Sequence, residues 1–181
     1  GGGSTTKFEP VKGRPEIDFI AVGGQSNAAG GGDFIDSSLV VHADPEMAFR
    51  YQNDTIVYIN DNQNFTKTSV SLWPSFARTY NIITGRKICI VNRVAGGSTQ
   101  VAAATSCAGL PAGNTWDTTG DRVQRTLDTL NLAATVLYRM GYSPKFKGIL
   151  WVQGESDGQA ISPSFGSCID SAAYHAAFQT M

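Results

Sequence analysis

Short apolar runs alternate along the chain with longer segments in which apolar residues recur at helical spacing. The runs Ile17–Val22, Ile88–Val91 and Phe146–Val152 are short, rich in β-branched or aromatic residues and bounded by turn formers, which is typical of buried strands. Phe146–Val152 is almost wholly apolar, so we expect it to be buried on both faces of a parallel sheet. Helices are predicted over three segments: Val70–Thr84, Val123–Leu137 and Ile169–Met181.

Turn and capping residues mark the limits of these elements. Gly85 stands where a helix C-cap is expected, and Pro74 is tolerable only in the first turn of its helix. Thr118 with Asp121 three residues later resembles a capping box at the start of the second helix. Two further short strands are predicted on either side of a turn-prone segment: Met47–Tyr51 and Thr55–Ile59.

The order of these elements predicts the fold class. Strand, helix, strand, helix, strand, helix is the order of right-handed βαβ crossovers. We therefore predict a three-layer α/β/α domain with a mostly parallel sheet over residues 16–181, preceded by a glycine-rich linker and an extended lead-in over residues 1–15. The last predicted helix is cut off by the chain end, so we expect the domain to be incomplete at its C-terminus.

The charge balance and the lengths of the apolar runs exclude two classes of partner. Fourteen Lys and Arg residues stand against fifteen Asp and Glu residues, so the formal net charge is −1. A nucleic-acid-binding protein needs an excess of basic residues to neutralise phosphates. The longest apolar runs, such as Ile149–Val152, are far shorter than the roughly 20 residues of a membrane-spanning helix. We expect no nucleic acid and no membrane as partner.

The three cysteines form no CxxC pair, and with only two histidines a structural zinc site is not expected. Cys89 lies in an apolar run and is predicted to be a small buried residue. Cys107 and Cys168 lie in polar, loop-like segments and can pair in an oxidising compartment, where closing so long a loop stabilises the fold by about 4 kcal/mol. The sequence leaves open whether their geometry allows the pairing.

Polar segments that contain glycine follow the three predicted buried strands. Ligands of open α/β sheets bind at the carboxyl ends of the strands, so we expect the three segments to lie along one edge. Ser26 leaves its strand on a glycine-flanked turn, which presents a hydroxyl beside backbone N–H groups, as a nucleophile and an oxyanion hole require. Gly96 and Gly97 allow close backbone approach to a ligand, and Gln153 offers an amide donor. The three segments are Gly24–Asn27, Gly96–Thr99 and Gln153–Asp157.

Each of these features also has an ordinary explanation. Ser, Asn and Gly are common turn formers, and Ser26 taken alone is more often a turn residue than a nucleophile. The segment Gly96–Thr99 has a composition that is common in loops. The third segment is harder to explain as a plain loop, because Gln153, Glu155 and Asp157 place three polar side chains directly after a strand that carries a tryptophan.

The three segments resemble the first three sequence blocks of the SGNH-hydrolase superfamily. They are most similar to its carbohydrate-esterase branch, which contains sialate O-acetylesterases and acetylxylan esterases, and the resemblance extends from Ile17 to about Met181. It implies an SGNH-like or flavodoxin-like α/β fold. The matching residues are Gly24-Gln25-Ser26-Asn27, Gly96-Gly97-Ser98 and Trp151-Val152-Gln153-Gly154-Glu155-Ser156-Asp157.

The resemblance implies a serine esterase that removes O-acetyl groups from a carbohydrate through an acyl-enzyme intermediate. Ser26 matches the nucleophile. The N–H group of Ser26, the N–H group of Gly97 or Gly96, and the side-chain amide of Gln153 match the oxyanion hole of the family. No metal or organic cofactor is implied. Five neighbours are expected to support the site or to contact the substrate: Gln25, Asn27, Gly96, Glu155 and Asp157.

The chain departs from the family pattern in its general base. Members carry Asp-x-x-His near the C-terminus, and no such motif is present here. His175 follows Asp170 by five residues and falls in a predicted helix, where a surface or packing role is expected. His42, in an early loop, is disfavoured as the base, and Glu155 is a weak substitute or an orienting acid. We therefore expect a further C-terminal part of the same protein and little activity from these residues alone.

Two other functional classes stay open. One is a non-catalytic carbohydrate-binding or structural module on the same scaffold. The other is a nucleotide-binding domain, which is disfavoured because Gly23–Gly32 contains neither Gly-x-Gly-x-x-Gly nor a phosphate-binding Lys-Ser/Thr ending. The expected partner is an acetylated carbohydrate of unspecified identity, for which Trp116 offers aromatic surface, whereas Trp73 is expected to be buried. An extracellular protein or one domain of a surface or virion protein is favoured; the oligomeric state is open.

Overall fold

The computed structural model of the chain describes residues 12–29, 43–59, 72–107, 114–165 and 168–180. Most of the predicted linker, His42 and Met181 lie outside these residues. Within them, strands form one sheet: β1 (Glu16–Gly24), β2 (Ala48–Gln52), β3 (Thr55–Tyr58), β4 (Ile88–Asn92) and β5 (Ser143–Val152). Their spatial order is β3-β2-β4-β1-β5. The pair β2–β3 is antiparallel and the other neighbours are parallel.

The helices of the described residues lie between and after these strands. The helix predicted over Val70–Thr84 begins at Trp73 instead, which puts Pro74 in its first turn. Its predicted end is confirmed, because the helix ends at Thr84 and Gly85 forms a left-handed C-cap with φ of 65°. No helix in the described ranges is long and apolar enough to cross a membrane. The helices are α1 (Ser26–Ala29), α2 (Trp73–Thr84), α3 (Ala102–Cys107), α4 (Arg122–Arg139), α5 (Glu155–Ile161) and α6 (Ser171–Thr180).

The two longest helices cover opposite faces of the sheet. Successive strand residues point to opposite faces, so β1 supplies apolar side chains to both. On one face Phe19 packs in a buried cluster with Leu130 and Leu137 of α4. On the other, Ile20 packs in a second cluster with Trp73 of α2. This three-layer α/β/α arrangement around a mostly parallel sheet confirms the predicted fold class.

The prediction that Phe146–Val152 is buried on both faces is wrong. β5 is the outermost strand on its side of the sheet within the described residues, where it pairs with β1. Phe146 and Ile149 are 50% and 51% exposed, although Phe146 still packs on Phe19 with ring centroids 5.4 Å apart. An apolar run predicts a strand, but it does not distinguish a central position in the sheet from an edge.

Short elements and one helix cap also differ from the sequence prediction. Helices α3 and α5 fall in segments expected to be loops, because each is too short to display a helical repeat of apolar residues. Asp121 is the N-cap residue of α4, but it makes no capping hydrogen bond, so the predicted capping box is wrong. Its carboxylate instead binds Arg125 at 2.6 Å.

The cysteines differ in burial and in bonding. Cys89 is free and fully buried in β4, as predicted, and burial raises the pKa of its thiol. Cys168 is disulfide-bonded. The side chain of Cys107 lies outside the described atoms, so its pairing with Cys168 stays a prediction. Next to Cys168, Ile169 packs in a small cluster with Ala160 of α5, which ties the segment before α6 to the domain.

A buried carboxylate, Asp18, ties the amino end of β1 to the end of α2. It is fully buried and accepts hydrogen bonds from the Tyr80 hydroxyl at 2.5 Å and from Nε of Arg86 at 2.6 Å. Burial alone would raise the pKa of Asp18, but the hydrogen bonds from Arg86 and Tyr80 outweigh it and hold that pKa below its ordinary value. Burial and the bond to Asp18 raise the pKa of Tyr80 to about 12.

We expect Asp18→Asn to lower the free energy of unfolding by about 2 kcal/mol at neutral pH, because charge-assisted hydrogen bonds from Arg86 are lost. Since the pKa of Asp18 is depressed in the folded state, its contribution is present above the ordinary carboxyl pKa and is lost as the pH falls through the folded value. Urea unfolding should therefore show the difference between the two proteins shrinking below about pH 4. A difference that does not change with pH would contradict this account.

Candidate active site

The carboxyl ends of three parallel strands meet at one edge of the sheet. Gly24 of β1 is in register with Val152 of β5, and Val22 of β1 is in register with Asn92 of β4. The three polar segments that follow these strands therefore begin near one another, as the sequence predicts.

The first segment turns sharply at Gly24 to present Ser26. Gly24 has a φ of 116°, which other residues rarely adopt, and a Cβ there would lie 1.9 Å from the Val152 carbonyl oxygen. The N–H of Gln25 donates to the same oxygen at 3.1 Å. Ser26 then begins α1 and is exposed to solvent. Its position on a strand-to-helix turn leaves the residue accessible from solvent.

Buried polar contacts hold this serine turn in place. The Gln25 side chain is 4% exposed, and its Oε1 accepts a hydrogen bond from the backbone N–H of Ser156 at 3.3 Å. Trp73 is buried, as predicted, and its Nε1 donates to the Ala28 carbonyl of α1 at 3.0 Å. Gln25 thus joins the first segment to the third. The side chain of Asn27 lies outside the described atoms.

The second segment packs directly on the serine turn. The Ala95 N–H donates to the Gly24 carbonyl at 3.0 Å, and the Ser98 hydroxyl donates to the same oxygen at 3.3 Å. Between these contacts Gly97 adopts a left-handed φ of 68°, and Gly96 is exposed. The glycine loop therefore lies beside the serine turn, where the sequence predicts an oxyanion donor.

Two tryptophans pack beneath the glycine loop. Trp116 Nε1 donates to Ser98 Oγ at 2.7 Å, and the Trp116 ring meets the Trp151 ring edge-on with centroids 4.6 Å apart. Trp151 lies against Gly23, where a Cβ would stand 2.5 Å from the ring. Because Trp116 is only 1% exposed, it supports the loop from inside. The prediction that Trp116 offers aromatic surface to a sugar is therefore wrong.

The third segment carries Gln153, whose side-chain amide is held at both ends. Its Nε2 donates to Asp157 Oδ2 at 2.5 Å and to the Ser98 carbonyl at 3.3 Å. Its Oε1 accepts a hydrogen bond from the Tyr174 hydroxyl at 3.3 Å. These contacts fix the amide beside the glycine loop with its N–H groups on the side of that loop.

Asp157 organises the backbone around Gln153. Its carboxylate is fully buried and accepts hydrogen bonds from the backbone N–H groups of Gln100 at 2.8 Å and Val101 at 3.0 Å. It thereby joins α5 to the chain that follows the glycine loop. Glu155, by contrast, lies exposed in the first turn of α5. The carboxylates of Glu155 and Asp157, two residues apart in the sequence, therefore differ in environment: the first is exposed and the second is buried.

Tyr174 of α6 also reaches the site, although no sequence pattern singles it out. Its hydroxyl binds Gln153 and lies 3.4 Å from the position of a Cβ on Gly154. Burial raises the pKa of Tyr174, and Asp157 and Glu155 add to the rise, so the hydroxyl is a protonated donor at neutral pH. Tyr174 and Gln153 are 21 residues apart, and local sequence carries no signal for such a contact.

We expect Tyr174→Phe to leave the fold intact and to loosen the Gln153 amide, because the ring stays and only the hydrogen bond to Oε1 is lost. In ¹⁵N-labelled protein the side-chain N–H protons of Gln153 should exchange with solvent roughly 5- to 10-fold faster, the equivalent of one ordinary hydrogen bond. Gln153→Glu assigns the resonances. Unchanged exchange in Tyr174→Phe would show that Tyr174 does not position the amide.

No residue among those that the structure describes is assigned as the general base. His175 is exposed on α6, which agrees with the surface role expected from its sequence context. His42 lies outside the described residues, so its candidacy is untested.

The fold and the site together define an α/β domain of the SGNH-hydrolase class. A family model of carbohydrate esterases, the sialic acid-specific acetylesterases, matches residues 17–179. The chain belongs to this family, which confirms the resemblance of its three polar segments to the carbohydrate-esterase branch. No curated protein matches the chain.

Solved structures that are similar to the chain include NanS and a plant protein. NanS is 18% identical with a TM-score of 0.52, and the match covers 93% of this chain and 64% of the NanS chain. A protein from Arabidopsis thaliana is 20% identical with a TM-score of 0.48 over 92% of this chain and 70% of its own. At such low identity the likeness to NanS shows the fold alone. The chain spans less than two thirds of the length of NanS.

Proposed function

We propose that the chain carries the nucleophile and the oxyanion hole of a serine esterase that removes O-acetyl groups from a carbohydrate. The observation that supports this most directly is the convergence of Ser26, the Gly97 loop and the Gln153 amide at one edge of the sheet. Membership of a carbohydrate esterase family supports the reaction class.

In this proposal Ser26 Oγ attacks the acetyl carbonyl carbon and forms a tetrahedral intermediate. Collapse of the intermediate breaks the bond between the acetyl carbon and the sugar oxygen, which receives the proton removed from Ser26 and leaves as the sugar hydroxyl. The acetyl group remains as an ester on Ser26. Water then hydrolyses that ester to acetate and regenerates the free serine. The N–H groups of Ser26 and Gly97 and the Gln153 amide stabilise the oxyanion of both steps, and one such donor is typically worth about 10²- to 10³-fold in rate.

In this proposal one N–H of the Gln153 amide donates to the oxyanion. Both N–H groups of Nε2 are donated within the protein, one to Asp157 at 2.5 Å and one to the Ser98 carbonyl at 3.3 Å. The bond to the Ser98 carbonyl is the longer and therefore the weaker of the two. The Gln153 N–H that makes it can accordingly be shared with, or given up to, the substrate oxyanion at the least cost. Asp157 meanwhile keeps the amide in place.

We propose that the general base and the carboxylate that orients it come from C-terminal sequence of the same protein. The family resemblance implies an Asp-x-x-His there, and this chain spans only 64% of the length of NanS. A histidine that takes the Ser26 proton is the usual partner of such a serine, and its removal costs several orders of magnitude in rate.

Hydrolysis of an aryl acetate and of an acetylated sugar, by this chain and by a C-terminally extended one, tests the proposed function. We expect the extended protein to hydrolyse both esters and the 181-residue chain to show little activity. If the extended protein binds the acetylated sugar and never hydrolyses it, the esterase proposal is wrong and a carbohydrate-binding module is indicated instead. Full activity of the shorter chain would refute the C-terminal base and make His42 and His175 the first candidates for substitution.

A further inference from the structure

Helix α6 carries Tyr174 to the candidate site, yet no side chain of its ten described residues is buried. Its polar contacts with the domain include the Tyr174 hydroxyl on Gln153 Oε1 at 3.3 Å and Gln100 Nε2 on the Ala177 carbonyl at 3.4 Å. Both bonds are long, and an ordinary hydrogen bond stabilises a fold by only about 1 kcal/mol. These contacts therefore hold α6 weakly.

The chain is attached more firmly just before α6. The Cys168 N–H donates to the Ala160 carbonyl of α5 at 2.8 Å, and Ile169 packs in a small cluster with Ala104 and Ala160. Two of these three buried residues are alanines, and an apolar group contributes only about 0.8 kcal/mol for each CH₂ buried. Apolar packing therefore adds little to the attachment of α6.

The disulfide of Cys168 supplies a covalent attachment at the same point. Cys168 is disulfide-bonded and exposed, and α6 begins three residues later at Ser171. The partner that the sequence predicts is Cys107, the last residue of α3. Helix α3 lies beside the Cys168 segment, because Ala104 of α3 belongs to the same cluster as Ile169. A bond between these two segments limits how far α6 can move from α3.

Both segments adjoin groups that hold the Gln153 amide. Helix α3 follows Gln100 and Val101, whose backbone N–H groups bind the Asp157 carboxylate. Asp157 in turn accepts a hydrogen bond from Gln153 Nε2 at 2.5 Å. Helix α6 carries Tyr174, which binds the other end of the same amide. The two segments therefore hold opposite ends of one side chain.

We propose that the disulfide of Cys168 positions the Gln153 amide by holding α6, and with it Tyr174, against the site. Because Cys168 is exposed, a thiol reductant can reach the bond. Dithiothreitol would convert the disulfide to two thiols and would itself become a cyclic disulfide, which leaves the amide held mainly by Asp157. That this loosening slows ester hydrolysis rests on the proposed function; the positioning itself does not.

Exchange of the Gln153 side-chain N–H protons in the ¹⁵N-labelled 181-residue chain tests the positioning without catalysis. Reduction, Cys168→Ser and Cys107→Ser should each speed this exchange about 3- to 10-fold, up to the equivalent of one hydrogen bond. Reductant should have no further effect on Cys168→Ser, and re-oxidation should restore the parent rate. Phe178→Leu, which changes an exposed residue of α6, is the matched control and should exchange as the parent does.

The Tyr174→Phe protein separates positioning from a general loosening of the fold. If the disulfide acts through the Tyr174 hydroxyl, reduction should leave the exchange of Tyr174→Phe unchanged, because the bond to Gln153 is already lost. Unchanged resonances of β1 and β4 show that the sheet stays folded. Exchange that reduction does not alter in the parent, or raises equally in Tyr174→Phe, would overturn the proposal. Parent-like exchange in Cys107→Ser would exclude Cys107 as the partner and with it the link to α3.

Kinetics of the C-terminally extended protein test the consequence for turnover. Reduction should lower kcat for an aryl acetate about 3- to 30-fold and leave KM unchanged, a smaller effect than the loss of a whole oxyanion donor. An unchanged kcat in an active enzyme would contradict this consequence. If the extended protein hydrolyses no ester, the proposed function is wrong, and the exchange measurement still decides whether the disulfide positions Gln153.

Discussion

Ser26→Ala is expected to reduce the rate of acetyl-ester hydrolysis by the C-terminally extended protein about 10⁴-fold or more. The residual rate would come from the oxyanion donors alone. In the proposed mechanism the acyl-enzyme cannot form without the Ser26 oxygen, whereas the proposed donors Gly97 and Gln153 are still present to hold the carbonyl. The loss should therefore appear in kcat, with KM for the acetylated sugar little changed. Steady-state kinetics with both substrates measure the two parameters separately.

The control for this prediction is Ser75→Ala, which removes the hydroxyl of an exposed serine on α2. It should leave both kinetic parameters unchanged. Because Ser26 is exposed and no buried contact of its side chain is lost, the Ser26→Ala protein should unfold at the same urea concentration as the parent. If the Ser26→Ala protein keeps even a tenth of the parent activity, Ser26 is not the nucleophile.

Gly24→Ala is expected to destabilise the fold by about 4 kcal/mol, an effect at the upper end for single substitutions. The φ of 116° at this position is strained for any residue with a side chain, and the new Cβ would lie 1.9 Å from the Val152 carbonyl oxygen. The collision cannot be relieved by a small shift, because Gln25 donates its N–H to the same oxygen and β1 is in register with β5 there.

Gly141→Ala separates the two causes of this effect. Gly141 also has a left-handed φ, 94°, but a Cβ there meets nothing within 4 Å. This substitution should lower the free energy of unfolding by only about 1 to 2 kcal/mol, which is the effect of the unfavourable backbone conformation alone. Urea unfolding of the three proteins gives the comparison, and equal losses in the two variants would mean that contact with Val152 does not hold the serine turn.

The sequence was sufficient for those parts of the fold that repeat locally. Apolar runs located β1 and β4, and the spacing of Leu127, Leu130 and Leu137 located α4. The same patterns could not locate α5, which is too short for a repeat, or place β5 at an edge. Edge position depends on which strands lie next to β5 in space, and apolar composition is the same in both cases.

The candidate site divides in the same way. The convergence of Ser26, Gly97 and Gln153 was predictable because each follows a strand, and strand ends of a parallel sheet meet at one edge. The groups that hold them were not, because Tyr174 and Trp116 act through hydrogen bonds to residues far away in the sequence. Such contacts follow from packing of whole elements and leave no local pattern.

In the proposed mechanism Ser26 becomes acetylated during turnover. Rapid quenching of the extended protein with an aryl acetate, followed by mass spectrometry of its peptides, tests that claim most directly. We predict one added acetyl group on the peptide that contains Ser26, formed before steady state, lost on further incubation and absent from Ser26→Ala. Steady hydrolysis with Ser26 unmodified at every time, or with the acetyl group on another residue, would contradict the account.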